Sequence, residues 1–158
     1  MLEFDLNELN TFEFDTQLDS NGDGMADYFE TNLDTTGDGF ADSAVVAYDS
    51  NHSGVVDTVI VYHDTTGDGN VDTVAKMFDY DQDGHIDSMN LHQDLNGDGQ
   101  YEQLSKLYDS TGDGQIDTVD VYFDSEGTGH ASDHQVYVYD PTSGELIPAA
   151  AAGFEVSG

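Results

Sequence analysis

The chain has 158 residues, of which 34 are Asp or Glu and only 2 are Lys or Arg, giving a formal net charge of −32. That balance excludes binding through nucleic-acid phosphates or to an anionic membrane surface, and no apolar run approaches the ~20 residues that a membrane helix needs. There is no Cys to form a disulfide, yet 9 Tyr, 8 Phe and 37% hydrophobic residues are too much apolar material for a solvated tail, so a folded chain is expected whose charge is neutralised by a bound cation.

Residues 1–18, with Phe4, Leu6, Leu9, Phe12, Phe14 and Leu18, carry no complete loop and are expected to cap one end of a repeat array. They show neither the basic start nor the apolar core of a signal peptide. From Asp19 onward an Asp recurs every 15 residues, at 19, 34, 49, 64, 79, 94, 109 and 124. Gly holds position 6 of each unit, from Gly24 to Gly129, and position 9 is acidic in units one to seven. Positions 1–9 are rich in Asp, Asn, Thr and Gly and predict a tight loop. Positions 10–15 are rich in Val, Thr, Tyr and Leu and predict a short strand, as in Thr58-Val59-Ile60-Val61-Tyr62. A weaker period of 30 shows in Lys76 and Lys106, which share a repeat position. Around them Val71, Val74, Met77 and Phe78 fall at helical spacing, so even units are allowed short helical turns. The eighth unit is read with a one-residue insertion that shifts its closing acid to Asp133. Residues 134–147 then form a capping hairpin, with a turn at Asp140-Pro141-Thr142-Ser143-Gly144, and 148–158 a loose tail.

The loops carry the chemistry. Alternate side chains at positions 1, 3 and 5 wrap hard oxygens around one ion, Gly at 6 allows the sharp turn, and the carbonyl of position 7 turns inward. Unit one offers Asp19, Asn21, Asp23, Met25 (through its carbonyl), Asp27 and Glu30. Unit two offers Asp34, Thr36, Asp38, Phe40 and Asp42, and unit three, a poorer set, Asp49, Asn51, Ser53 and Asp57. Unit four has Asp64, Thr66, Asp68, Asn70 and Asp72; unit five has Asp79, Asp81, Asp83, His85 and Asp87. Unit six has Asp94, Asn96, Asp98, Gln100 and Glu102; unit seven has Asp109, Thr111, Asp113, Gln115 and Asp117. Unit eight, with Asp124 and Glu126, is the weakest. Units one, five and six read as the richest. An isolated loop of this kind is often an ordinary Asp-Gly turn; seven in register are not.

Unit one satisfies the EF-hand pattern, including Glu30 at position 12. In later units position 12 is Val45, Ile60, Ala75, Asn90, Ser105 or Asp120, so these loops resemble the shorter Asp-x-Asp-x-Asp-Gly-x-x-Asp loops of dockerins, thrombospondin calcium repeats and integrin-type β-propellers. The resemblance covers nine residues per unit and implies that position 9 closes the ligand shell. An all-oxygen donor set without Cys favours calcium over zinc or copper, and magnesium prefers to keep its waters. About seven and at most eight Ca2+ are expected, with trivalent lanthanides as competitors.

Other features read as secondary. His130 and His134 could bind a transition metal on a helix. Tyr62, Tyr122, Tyr137 and Tyr139 form either a cross-strand stack or a carbohydrate-contacting stripe. Thr58, Thr73 and Thr118 invite an ice-binding reading but lack the paired array it needs. No nucleophile–base pair or phosphate loop marks an enzyme. The fold expected is mainly β: a calcium-stabilised β-solenoid or β-roll of 15-residue units in 30-residue coils. An antiparallel meander or partial propeller is the alternative, and an array of helix–loop pairs the third choice. The function expected is a multi-site calcium-binding structural or adhesive repeat module of a secreted bacterial protein, extracellular or at a cell surface, folded and rigidified by calcium, that contacts a protein or carbohydrate. The alternative is a metal-responsive or sequestering binder.

Overall fold

The computed structural model describes residues 13–150 and 152. Ten strands form one sheet in sequential order: β1 (Thr16–Leu18), β2 (Tyr28–Leu33), β3 (Ser43–Tyr48), β4 (Thr58–His63), β5 (Thr73–Phe78), β6 (Ser88–Gln93), β7 (Gln103–Tyr108), β8 (Thr118–Phe123), β9 (Asp133–Asp140) and β10 (Glu145–Pro148). Every neighbouring pair is antiparallel. The protein is therefore all-β, and the sheet is an open meander.

The chain does not coil into a solenoid, and the reason lies in how each loop closes. The amide of position 9 donates to the carbonyl of the residue just before position 1, as in Asp27 to Leu18 (2.9 Å), Asp42 to Leu33 (3.0 Å) and Asp57 to Tyr48 (2.9 Å). That bond returns the chain beside the strand it has just left, so a hairpin forms where a coil would have to advance. The partial propeller and the helix–loop array are likewise not seen, and no helix occurs among the described residues. The even units are strands. The helical spacing around Lys76 comes from apolar residues on both faces of β5: Met77 joins the core on one face while Val74 pairs with Tyr62 on the other.

The eighth unit holds no insertion. Ser132 occupies position 9, its amide donating to Phe123 O, and Asp133 is the first residue of β9, opposite Phe123. The N-terminal cap expected for residues 1–18 lies outside the described residues except for its last six. Of these, Phe14 packs on Phe29 with ring centroids 5.4 Å apart.

The register gives the two faces different characters. Pairs such as Ala47↔Val59, Val59↔Met77 and Met77↔Met89 align one apolar row across β3 to β6. Val45, Ala47, Val59 and Met77 form its buried centre, with Phe14, Phe29, Val56 and Ile86 packed against it. The opposite face carries Glu30, Val46, Ile60, Lys76, Asn90, Lys106 and Asp120 in its central row. Cross-strand partners share a face, and position 12 of one unit pairs with position 13 of the next. A given repeat position therefore changes face from one unit to the next, which accounts for the 30-residue period.

Candidate metal centres

The nine-residue loops stand in two rows, odd-numbered loops at one end of the strands and even-numbered loops at the other. Within a row the position-1 amide donates to the position-9 carbonyl two units earlier: Asp49 to Asp27 (2.9 Å), Asp64 to Asp42 (2.8 Å), Asp109 to Asp87 (2.8 Å) and Asp124 to Glu102 (2.8 Å).

Loop four shows the local construction. Asp64 at position 1 accepts Gly67 N (2.7 Å) and Asp68 N (3.3 Å) on Oδ1 and Gly69 N (2.8 Å) on Oδ2. These donors, Gly69 first, hold its carboxyl below the usual range. Asp68 at position 5 accepts the amide of Asn70 at position 7 (2.8 Å). Asp72 at position 9 reaches back to accept Thr65 N (2.8 Å), Thr65 Oγ1 (2.7 Å) and Thr66 N (2.9 Å). Such a turn needs a left-handed residue at position 6, where Gly69 has φ 90°.

The other loops repeat the scheme. Asp19 accepts Gly22 N and Gly24 N, Asp34 accepts Gly37 N and Gly39 N, and Asp94 accepts Gly97 N and Gly99 N. Asp49, Asp79, Asp109 and Asp124 at position 1 also accept the position-6 amide. Asn21, Asn51, Asp81 and Asn96 at position 3 accept the position-5 amide. Asp23, Asp38, Asp83, Asp98 and Asp113 at position 5 accept the amides of Met25, Phe40, His85, Gln100 and Gln115. The position-3 hydroxyls of Thr36, Thr66 and Thr111 donate to the position-1 carboxylate, 3.3 Å in each case. The position-7 carbonyl faces the position-5 side chain in two loops: Ser53 Oγ donates to Val55 O (3.5 Å) and Thr128 Oγ1 to His130 O (3.4 Å).

Three loops gather their acids most closely among the described residues. Asp64, Asp68 and Asp72 each bring one carboxylate oxygen within 4.8 Å of the others, as do Asp79, Asp81 and Asp87, and Asp94, Asp98 and Glu102. The acids of loops one, two and seven do not draw that close. In loop one Asp27 Oδ1 meets His52 Nδ1 at 3.0 Å, reaching from loop three. The Ser20 hydroxyl, followed by His52, lowers the Asp27 carboxyl to about 2, and Asp27 in turn raises the His52 imidazole. In loop two Asp42 Oδ1 takes the hydroxyls of Thr35 (2.7 Å) and Ser43 (3.0 Å), and the Thr35 hydroxyl leads in bringing its carboxyl to about 2. Glu30 stands in the middle of β2, where it accepts the Tyr28 hydroxyl (2.6 Å). In loop eight Ser132 stands where the other loops have an acid, its hydroxyl 3.1 Å from Ser125 Oγ.

Two groups in loops five and six test whether the residues fit a cation. Asp79 is fully buried, and burial pushes its carboxyl above the usual range despite amides from Gln82 and Gly84. Glu102 Oε1 is buried with no hydrogen-bond partner, while its other oxygen accepts Leu95 N (2.8 Å). A sealed carboxylate oxygen without a donor is costly, and a hard cation beside Asp94 and Asp98 removes that cost. The donors present are all oxygen, and these clusters could hold a metal ion.

Sequence reasoning missed the hydroxyl at position 2. Ser20, Thr35, Ser50, Thr65 and Ser110 all donate it to the position-9 acid. The recurrence of Ser or Thr at that position was the available signal. The position-10 hydroxyls of Ser43 and Thr58 also serve the loops, donating to Asp42 and Asp57. No helix of the described residues is long and apolar enough to cross a membrane. The chain matches no protein-family model, and neither a curated protein nor a solved structure is similar to it.

Proposed function

We propose that the chain is a multi-site calcium-binding structural or adhesive module that calcium rigidifies. The observation that carries this reading is the convergence of carboxylates in loops four, five and six, with the partnerless buried oxygen of Glu102 among them. Loops one, two and seven have the same frame and bring the set to six, and the poorer loops three and eight would make the seventh and eighth of the expected ions. Each ion that binds only the folded chain adds roughly 0.4–1.4 kcal/mol when free calcium is about 1–10 times its Kd. The single carboxylate arms, with Thr at position 3 in three loops, suit the weak extracellular regime of roughly 10⁻⁴–10⁻³ M. A surface or extracellular setting, where calcium is millimolar, follows from that regime. No enzymatic role is proposed.

Calorimetric titration of chelator-treated protein with calcium, and separately with a lanthanide, tests the reading. About seven ions of submillimolar to millimolar Kd are expected, with a gain in thermal stability. Binding of one ion or none would refute it. Submicromolar calcium sites, or strong lanthanide preference, would replace the structural module by a sequestering binder.

A further inference from the structure

The chain has only two basic residues apart from His, and both stand in the central row of the face opposite the apolar centre. Lys76 pairs with Asn90, and Asn90 with Lys106, in adjacent strands. Their Cα atoms are therefore roughly 10 Å apart, two strand spacings. In a molecule with 34 acids, ammonium groups would be expected to pair with carboxylates. Among the described residues neither does: the ion pairs present all involve His, and the carboxylate of Asp120, opposite Lys106, lies 3.8 Å from His134. Lys106 instead stands over the Tyr122 ring, 5.5 Å from its centroid.

Beside this row a cavity of about 510 Å³ opens between β6–β8 and loops six and eight. Lys106 and Gln100 supply donors, Tyr101 supplies an aromatic wall that is 42% exposed, and His92 packs against Tyr101 at 5.6 Å. The two ring nitrogens of His92 suit hydroxyl groups. The volume lies in the range of small-ligand sites.

We propose that this cavity binds a carboxylated sugar, a hexuronate residue, with its carboxylate on Lys106, its ring face on Tyr101 and its hydroxyls on His92 and Gln100. The cavity also touches Glu102 and Asp124, the position-9 and position-1 acids of loops six and eight. These would repel an anion. On the calcium reading above, on which this part rests, an ion in loop six neutralises Glu102 and offsets Asp124, so uronate binding depends on calcium.

The test is an NMR titration of the full chain with sodium D-glucuronate and with D-glucose, in excess calcium and in chelator, beside a titration with calcium alone. With calcium present, glucuronate should shift the His92 and Tyr101 resonances and bind about tenfold more tightly than glucose, the effect of one charge-assisted hydrogen bond. Lys106→Gln should lose that advantage and Lys106→Arg keep most of it, both with unchanged circular dichroism. Equal binding of the two sugars, or an unaltered Lys106→Gln, overturns the proposal. Calcium uptake without glucuronate binding defeats the cavity and leaves the calcium reading standing. Glucuronate binding that is equal in chelator, by a protein that takes up no calcium, does the reverse.

Discussion

The loop carboxylates act as acceptors for the backbone before any ion is considered. Asp64 and Asp72 between them order the amides of residues 65–69, so each loop already has a satisfied frame. Glu102 departs from it, with one oxygen unpartnered. Glu102→Gln places an amide donor where that oxygen can turn it toward Asp94 or Asp98. It should therefore stabilise the metal-free protein by about 0.5–1.5 kcal/mol while removing one calcium from the stoichiometry. Chemical denaturation in chelator and calorimetry with calcium read the two halves separately, and a loss in both would contradict the assignment. The acid limb also has a definite sign. Asp27 and Asp42 have folded values of about 2, below the ordinary ~3.9, so their stabilisation is complete above about pH 4 and is lost as pH falls toward 2. His52 is raised, so its contribution is complete below about pH 6.5 and is lost as pH climbs through its folded value. Metal-free stability should therefore peak between these limits, and thermal melts across pH 2–9 would show it. The acids at positions 1, 5 and 9 that frame the loops were legible in the sequence because they recur. The His52–Asp27 contact was not, because nothing in a linear chain says that loops one and three are neighbours.

At the scale of the element, loop and strand boundaries were readable. The strand expected at Thr58–Tyr62 is β4, Thr58–His63. Whether nine-residue loops return the chain or advance it was not readable, since either path satisfies the same alternation of Asp-rich and β-branched segments. The deciding bond, position-9 amide to the preceding strand, is made by backbone groups common to all residues. The left-handed positions distinguish loop strain from loop contact. Gly69 has φ 90° with open space around its absent side chain, so Gly69→Ala should cost about 1–2 kcal/mol from the backbone alone. Gly54 has φ 89°, but an added Cβ would meet Met25 Sδ at 3.2 Å, so Gly54→Ala should cost more. The expected fall in Tm is about 2–4 °C per kcal/mol, measurable by scanning calorimetry. Equal falls would mean that the odd row is not in contact through Met25. Natural exceptions to glycine stand at His52 (φ 59°) and Gln82 (φ 62°), and both reach the preceding odd loop: His52 to Asp27, and Gln82 Nε2 to Ser53 Oγ at 2.8 Å.

At the scale of the molecule, one sheet of ten strands about 43 Å wide has no second layer among the described residues to cover it. Its stability rests on a modest apolar centre and on two rows of loops in which acids stand close together. Chelation should therefore lower the melting temperature and loosen the loops before the core strands. Hydrogen exchange in chelator should show loop amides of residues 64–72 and 94–102 exchanging faster, with β4 and β5 still protected. Uniform protection with and without calcium would remove calcium from the account of stability.

The exchange of faces from one unit to the next gives the sheet a parity. Loss of a pair of units, such as residues 49–78, leaves every downstream side chain on its own face. Loss of a single unit, such as residues 49–63, turns the remainder over, bringing Lys76 and Lys106 onto the apolar face that carries Ala47 and sending Met77 and Met89 to the other. A sheet of this kind can lengthen or shorten by hairpins and not by strands. Its unit of inheritance is thus twice the unit that its sequence displays.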